Sequence, residues 1–104
     1  MWAQLIKSRV KPGKEDEARN LPQEFDMAAH GTSPSWVAMT SSVNENDPGE
    51  YYTLVIFESE EKARARENDP HRAELLKDLR ETMMEIVDGA PEFVDLDVLG
   101  ETSH

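Results

Sequence analysis

Apolar residues recur along this chain in runs whose spacing switches between that of strands and that of helices. Strand-like runs occupy residues 2–10, 36–43, 51–57 and 93–99, whereas helical spacing covers residues 14–30 and 60–87. The order is therefore strand, helix, strand, strand, helix, strand. This order predicts an α+β fold of the ferredoxin-like β-α-β-β-α-β type, with one four-stranded antiparallel sheet.

Several residues predict where these elements break. Pro22 lies inside the first helical region, where it removes a backbone donor, so we expect a kink or two short helices there. Gly31 is the natural residue after that region's end. The pair 69–70, Asp-Pro, combines a cap residue with a first-turn proline and predicts helical pieces at about 60–67 and 70–87. Turn formers at 44–49 predict a hairpin with a longer loop.

The third strand is apolar on both of its faces. Tyr52, Leu54 and Ile56 alternate with a second set of residues that includes Tyr51 and Phe57. Two helices can cover only one face of a four-stranded sheet, so the other face stays bare. A bare apolar face on a small domain favours a partner, and we expect a second copy of the chain, that is, a homodimer.

Composition and charge narrow the class of protein. The chain has 104 residues with 38% hydrophobic content, which fits one domain over 1–104, ending in a flexible tail from about 100. The net charge of -11 repels a polyanion, so no nucleic-acid partner is expected.

No stretch is apolar and long enough to predict a membrane span. The chain has no cysteine, and its start lacks a signal-peptide pattern, so we predict a cytoplasmic protein. Acidic runs fall on different elements and predict no metal site.

Four short motifs carry a resemblance to a known family. They are VKPGK at 10–14, SPSW at 33–36, FESEE at 57–61 and NDPH at 68–71. In order and spacing the chain resembles the antibiotic biosynthesis monooxygenase (ABM) family of dimeric α/β barrels. The resemblance implies two sheets packed face to face in a dimer, with a pocket between each sheet and its own helices that would hold a small apolar or aromatic ligand.

The resemblance also bears on cofactors. In heme-degrading members a histidine on the second helix ligates iron, helped by an asparagine on strand one and a tryptophan at the end of strand three. Those positions correspond here to Leu75, Ile6 and Phe57. Leucine cannot donate to iron, so heme ligation of this kind is disfavoured. The activity that the resemblance leaves is a monooxygenase without cofactor or metal, which oxidises an aromatic or quinol-like small molecule with O2.

Candidate site residues follow from the family positions and from strand alternation. His71 lies one helical turn before Leu75, and histidine titrates near neutrality, so His71 is the candidate catalytic base. A solvent-facing residue at a helix start is the competing interpretation of His71. The candidate substrate-binding residues share the pocket side of the predicted fold. They are Gln4, Ile6, Ser8, Trp36, Tyr51, Phe57 and Leu75.

Two further hypotheses stay open at this point. A non-catalytic small-molecule-binding or structural module would keep the dimer and the pocket but lack the chemistry, and the departures at the three family positions favour it. An isomerase or decarboxylase-like relative would use the His71 base without O2.

Overall fold

The computed structural model describes residues 1–28 and 36–102, with the backbone alone at 26–28. Within these ranges the elements are β1 (Trp2–Arg9), α1 (Glu15–Arg19), α2 (Leu21–Ala28), β2 (Trp36–Asn44), β3 (Asp47–Phe57), α3 (Glu60–Glu67), α4 (Pro70–Leu75), α5 (Lys77–Ile86) and β4 (Glu92–Asp97). All strand pairs are antiparallel, in the order β2-β3-β1-β4. The predicted α+β fold and four-stranded sheet are confirmed.

The predicted breaks in the first helical region and after α3 are present. The first region divides at Asn20, and Pro22 then occupies the second position of α2, where its missing N–H leaves no helical bond unmade. The predicted end at Gly31 lies outside the described residues. The Ser59 hydroxyl caps α3 by accepting from the Lys62 N–H at 3.2 Å, and the Asp69 carboxylate caps α4.

The prediction of one continuous helix over 70–87 was wrong. The chain leaves helical geometry at Leu76, whose φ of -96° and ψ of 3° separate α4 from α5. Leu76 is 2% exposed, and Leu79 on the next helix is also buried. The bend allows both short helices to direct a leucine into the same core.

The prediction of a longer hairpin loop at 44–49 was also wrong. β3 begins at Asp47, so only two residues form the turn after Asn44. The Asn44 side chain accepts from the Asn46 N–H at 2.9 Å, and the Gly49 carbonyl accepts from the Val10 N–H at 2.8 Å. These bonds hold the turn-forming residues in the sheet, where composition alone indicates a loop.

All the described helices lie on one face of the sheet. The hydrophobic core lies between these helices and that face. One buried cluster joins the helices and consists of Val10, Ala18, Leu21, Leu76, Leu79 and Ile86. A second cluster, Val55, Phe57 and Ala63, joins β3 to α3. The opposite face carries Leu5, Leu54, Ile56, Val94 and Leu96, and no described helix covers it. Within the described ranges no helix has the length and apolarity needed to cross a membrane.

Candidate functional site

A cavity of about 310 Å³ lies between the helices and the sheet face that they cover. Its floor is formed by the strands, and its walls are formed by helices and by the segments that flank them. The floor residues are Ile6, Ser8, Met39, Ser41, Tyr51, Thr53, Val55 and Phe93. The wall residues are Val10, Leu21, Pro22, Phe25, Arg66, Arg72, Leu76, Leu79, Arg80, Met83 and Val87. Most of this lining is apolar, as is usual for small-molecule sites.

Four hydroxyl groups cross the floor of the cavity on neighbouring strands. Ser8 of β1 is paired with Tyr51 of β3, and Ser41 of β2 is paired with Thr53 of β3. Because Tyr51 and Thr53 are two residues apart on one strand, all four side chains project to the same side. Hydroxyls both donate and accept hydrogen bonds, so the floor can hold the polar edge of a flat, otherwise apolar ligand.

Three arginines, one on each of α3, α4 and α5, add positive charge to the walls: Arg66, Arg72 and Arg80. Among the side chains that the structure describes, no carboxylate lies within salt-bridge distance of any of them. By contrast, Arg9 and Arg64 outside the cavity both pair with carboxylates. We call these three residues the arginine cluster.

Two phenylalanine rings position the guanidinium of Arg66. Its central carbon lies 5.8 Å from the centre of the Phe25 ring and 5.7 Å from that of Phe57. A cation over an aromatic face is attracted by the ring quadrupole, by roughly 0.5–2 kcal/mol depending on exposure. This attraction engages the charge of the guanidinium and requires none of its N–H donors.

Burial and the charge of a neighbouring arginine disfavour the charges of Arg66 and Arg72. Burial, followed by the nearby charge of Arg72, lowers the pKa of Arg66 to about 10. Burial also lowers the pKa of Arg72, with the charge of Arg80 as the second cause. The Nε atom of Arg72 is buried and has no hydrogen-bond partner among the described residues. Guanidinium groups stay protonated at neutral pH, so the cavity carries a concentrated positive charge within an acidic protein.

Three of the candidate substrate-binding residues predicted from the sequence lie together in the structure. Ile6, Ser8 and Tyr51 line the cavity side by side. Gln4 lies on the same sheet face, but its side chain donates to the Asp95 carboxylate at 3.1 Å. Phe57 is buried in the second core cluster, and Trp36 packs against that cluster. These last three residues do not line the cavity.

His71 and Leu75 are exposed on α4, and neither lines the cavity. The helical spacing places them on one side of α4, as expected, but that side faces away from the sheet. Arg72 and Leu76, the next residue in each case, take the inward positions. A shift of one residue corresponds to a rotation of about 100° around a helix, which is enough to exchange a lining position for an exposed one.

The arginine cluster was missed by the sequence interpretation, although the sequence holds a signal for two of its members. Arg72 lies four residues before Leu76, and Arg80 lies four residues after it. Residues four apart share a helix face, so the sequence places both arginines on the face that carries Leu76. Across the described residues no group of three or more histidine, cysteine or acidic side chains is arranged to hold a metal ion.

No protein-family model matches the sequence, and no curated protein matches it significantly. Solved structures with the same fold do exist. One, named as an antibiotic biosynthesis monooxygenase, superimposes with a TM-score of 0.71 at 16% identity over 96% of this chain and 100% of its own. A second, from Nitrosomonas europaea and named provisionally as an antibiotic biosynthesis monooxygenase, gives 0.75 at 14% identity over 96% of this chain and 100% of its own.

A third structure, a conserved protein from Methanosarcina mazei Go1, gives a TM-score of 0.69 at 16% identity and covers 92% of this chain and 91% of its own. Identity at this level establishes the backbone arrangement and leaves the chemistry of the site to its own residues. The chain therefore has the ferredoxin-like fold found in structures that bear the antibiotic biosynthesis monooxygenase name.

Proposed function

We propose that the protein is a monooxygenase of the ABM type that oxidises an aromatic or quinol-like small molecule with O2 and without a cofactor. The observation that carries this proposal is the cavity itself. It is largely apolar, it has room for a flat ring system, and it presents hydroxyls from Ser8, Tyr51 and Thr53 beside the arginine cluster. Its fold is the one found in structures named as monooxygenases of this type.

The reaction balances without an external reductant when the substrate is a phenol that becomes a quinone. One oxygen atom of O2 forms a bond to a ring carbon, which loses its hydrogen, and the other oxygen atom leaves as water. The substrate supplies all four electrons. An ionised phenol is the reactive form, because its negative charge makes the ring a better electron donor to O2.

The arginine cluster would favour that ionised form. Positive charge within a few ångströms lowers the pKa of an acid, so a bound phenol loses its proton to solvent more readily than a free one. His71, the base predicted from the sequence, is exposed outside the cavity lining. The proposal therefore assigns ionisation of the substrate to the arginines and binding of its polar edge to Ser8 and Tyr51, with Ile6 as an apolar contact.

A non-catalytic binding module is the second candidate, and one observation favours it. The described lining contains no histidine and no carboxylate, so it offers no conventional general base. The same cavity would then bind an aromatic molecule without transforming it.

We further propose that a second copy of the chain covers the open face of the sheet. Leu5, Leu54, Ile56 and Val94 are half-buried there, and Leu96 is 36% exposed. Burial of apolar area stabilises association by about 25 cal/mol per Å², and a contiguous apolar face is a typical interface. A two-fold dimer would bring this same surface of each copy into contact.

Oxygen uptake with 1-naphthol tests the enzymatic proposal, and labelling with ¹⁸O2 should place one heavy oxygen atom in the naphthoquinone product. Ser41→Phe should abolish uptake, because the added ring fills the cavity next to Thr53. Ala65→Phe adds the same ring at an exposed position of α3 and should leave uptake unchanged. Binding of 1-naphthol without oxygen uptake would instead support the binding module.

A further inference from the structure

We propose that the natural ligand carries a permanent carboxylate group in addition to its aromatic body, and that the arginine cluster binds this carboxylate. This inference rests on the proposed function, because it specifies the substrate class of the same cavity. Its starting point is the position of Arg66, Arg72 and Arg80 around one small apolar space.

The described surroundings of the cluster do not fully compensate its charge. Arg9, Lys14, Lys62 and Arg64 each lie within salt-bridge distance of a carboxylate. Among the described side chains no carboxylate lies that close to Arg66, Arg72 or Arg80. The charge of Glu67 opposes the effect of burial on the pKa values of Arg66 and Arg72 without cancelling it, because both pKa values remain lowered.

Partly buried cations need a compensating charge, because taking a charge out of water is unfavourable unless an opposite charge replaces the solvent. The buried Nε atom of Arg72 shows that the protein itself, in its described part, does not complete this site. A ligand oxygen at that point would supply the missing acceptor. The observation thus indicates a ligand with negative charge where it contacts α4.

Two arguments favour a carboxylate over the ionised phenol alone. A single phenolate would neutralise one of three cations, and a second anionic group reduces the excess further. In addition, a carboxylate is planar and accepts two parallel N–H bonds from one guanidinium, a geometry that arginine matches and lysine does not. The cluster consists of arginine throughout.

The test compares three probes of nearly the same size by isothermal titration calorimetry at pH 7. 2-Naphthoate carries the carboxylate, 2-naphthamide is its neutral counterpart, and 2-naphthol is a phenol that is neutral in free solution at pH 7 because phenols ionise near pH ~10. Each probe is titrated into the wild type, into Arg72→Gln and into the matched control Arg19→Gln. Arg19 is exposed on α1, so its replacement changes the net charge equally without touching the cavity.

We expect the wild type and Arg19→Gln to bind 2-naphthoate more tightly than 2-naphthamide. Arg72→Gln should weaken 2-naphthoate binding by roughly 10- to 100-fold, the usual effect of losing a hydrogen bond to a charged group, and leave 2-naphthamide binding unchanged. Arg80→Gln provides a second variant should Arg72→Gln fail to fold, because Arg80 is exposed and its replacement disturbs little packing.

The remaining outcomes separate this inference from the proposed function. Equal binding of acid and amide, unaffected by Arg72→Gln, would overturn the carboxylate and leave the aromatic cavity standing. If Arg72 were needed for binding of 2-naphthol but not of 2-naphthoate, the arginines would bind only the phenol group. That result would also overturn the proposed carboxylate. Failure of all three probes to bind would overturn both proposals. Arg72-dependent binding of 2-naphthoate, in a protein that shows no oxygen uptake, would support the carboxylate and reject the enzyme.

Discussion

Arg72 should destabilise the unliganded protein, and Arg72→Met should therefore raise its thermal stability. The side chain is half-buried, its Nε atom has no described hydrogen-bond partner, and its charge lies near those of Arg66 and Arg80. A buried polar group without a partner costs about 1–3 kcal/mol. Because this side chain is only partly buried, we take the lower end, about 1 kcal/mol. Methionine keeps the unbranched apolar stem and removes the charge.

For a domain of this size, 1 kcal/mol corresponds to a change in Tm of about 4–8 °C. Circular dichroism at 222 nm during heating, in a buffer without carboxylates or phosphate, measures this directly. Arg19→Met is the matched control, because Arg19 is exposed and its replacement should change the free energy of unfolding by less than about 0.5 kcal/mol. A Tm of Arg72→Met that falls below the wild type by several degrees would refute the reasoning, since it would mean that the guanidinium makes stabilising bonds.

Three other changes test the fold. Leu54→Glu places a charge in the open sheet face, so light scattering should show a monomer where the wild type gives a dimer of twice the 11.8 kDa chain mass. The control Met84→Glu, at a position 76% exposed on α5, should remain a dimer. Ile86→Ala removes a side chain that is 1% exposed in the core and should lower the free energy of unfolding in urea by about 2–5 kcal/mol; a smaller loss would show that the helices close over the gap. Asn44, and to a smaller extent Tyr52, donate hydrogen bonds to Glu50 and lower its pKa below the ordinary 4.5. The ionised carboxylate therefore stabilises the fold above that pH, and this stabilisation is lost as the pH falls. Glu50→Gln should therefore have a lower Tm than the wild type at pH 7 and the same Tm in acid, and an equal difference at both values would contradict this assignment.

The order of strands and helices was predictable because the spacing of apolar residues switches along the chain between the periods of strands and helices. Ser59 and Asp69 carry local cap signals whose bonds depend only on neighbouring residues, and α3 and α4 begin after them as predicted. The hairpin loop was not predictable in the same way. Asp47 and Gly49 are turn formers by composition, yet Arg9 and Val10 of a distant segment hold them in the sheet. Contacts that are remote in sequence decide such cases.

The floor of the cavity was easier to predict than its walls. Strand alternation has a period of two, so the side of the sheet to which Ile6, Ser8 and Tyr51 project follows from one correct strand assignment. On a helix, an error of one residue turns a side chain by about 100°. The family positions led to His71 and Leu75, one residue short of the inward pair Arg72 and Leu76, and the bend after α4 is invisible in the hydrophobic pattern.

Arg72 of the arginine cluster affects both the stability of the folded chain and its binding of ligand. We therefore expect the ligand to reverse which of the two proteins, the wild type or Arg72→Met, is the more stable. Without ligand, Arg72→Met should unfold at the higher temperature for the reasons given above. A ligand that binds only the folded chain stabilises it by about 2.7 kcal/mol when present at 100 times its Kd. If the carboxylate of that ligand binds Arg72, most of this gain belongs to the wild type alone, and it exceeds the roughly 1 kcal/mol advantage of the variant. Saturating 2-naphthoate should therefore make the wild type the more stable protein, whereas 2-naphthamide should leave the order unchanged. Parallel Tm increases for the two proteins in 2-naphthoate would show that the ligand anion does not contact Arg72, even if Arg72 destabilises the unliganded fold.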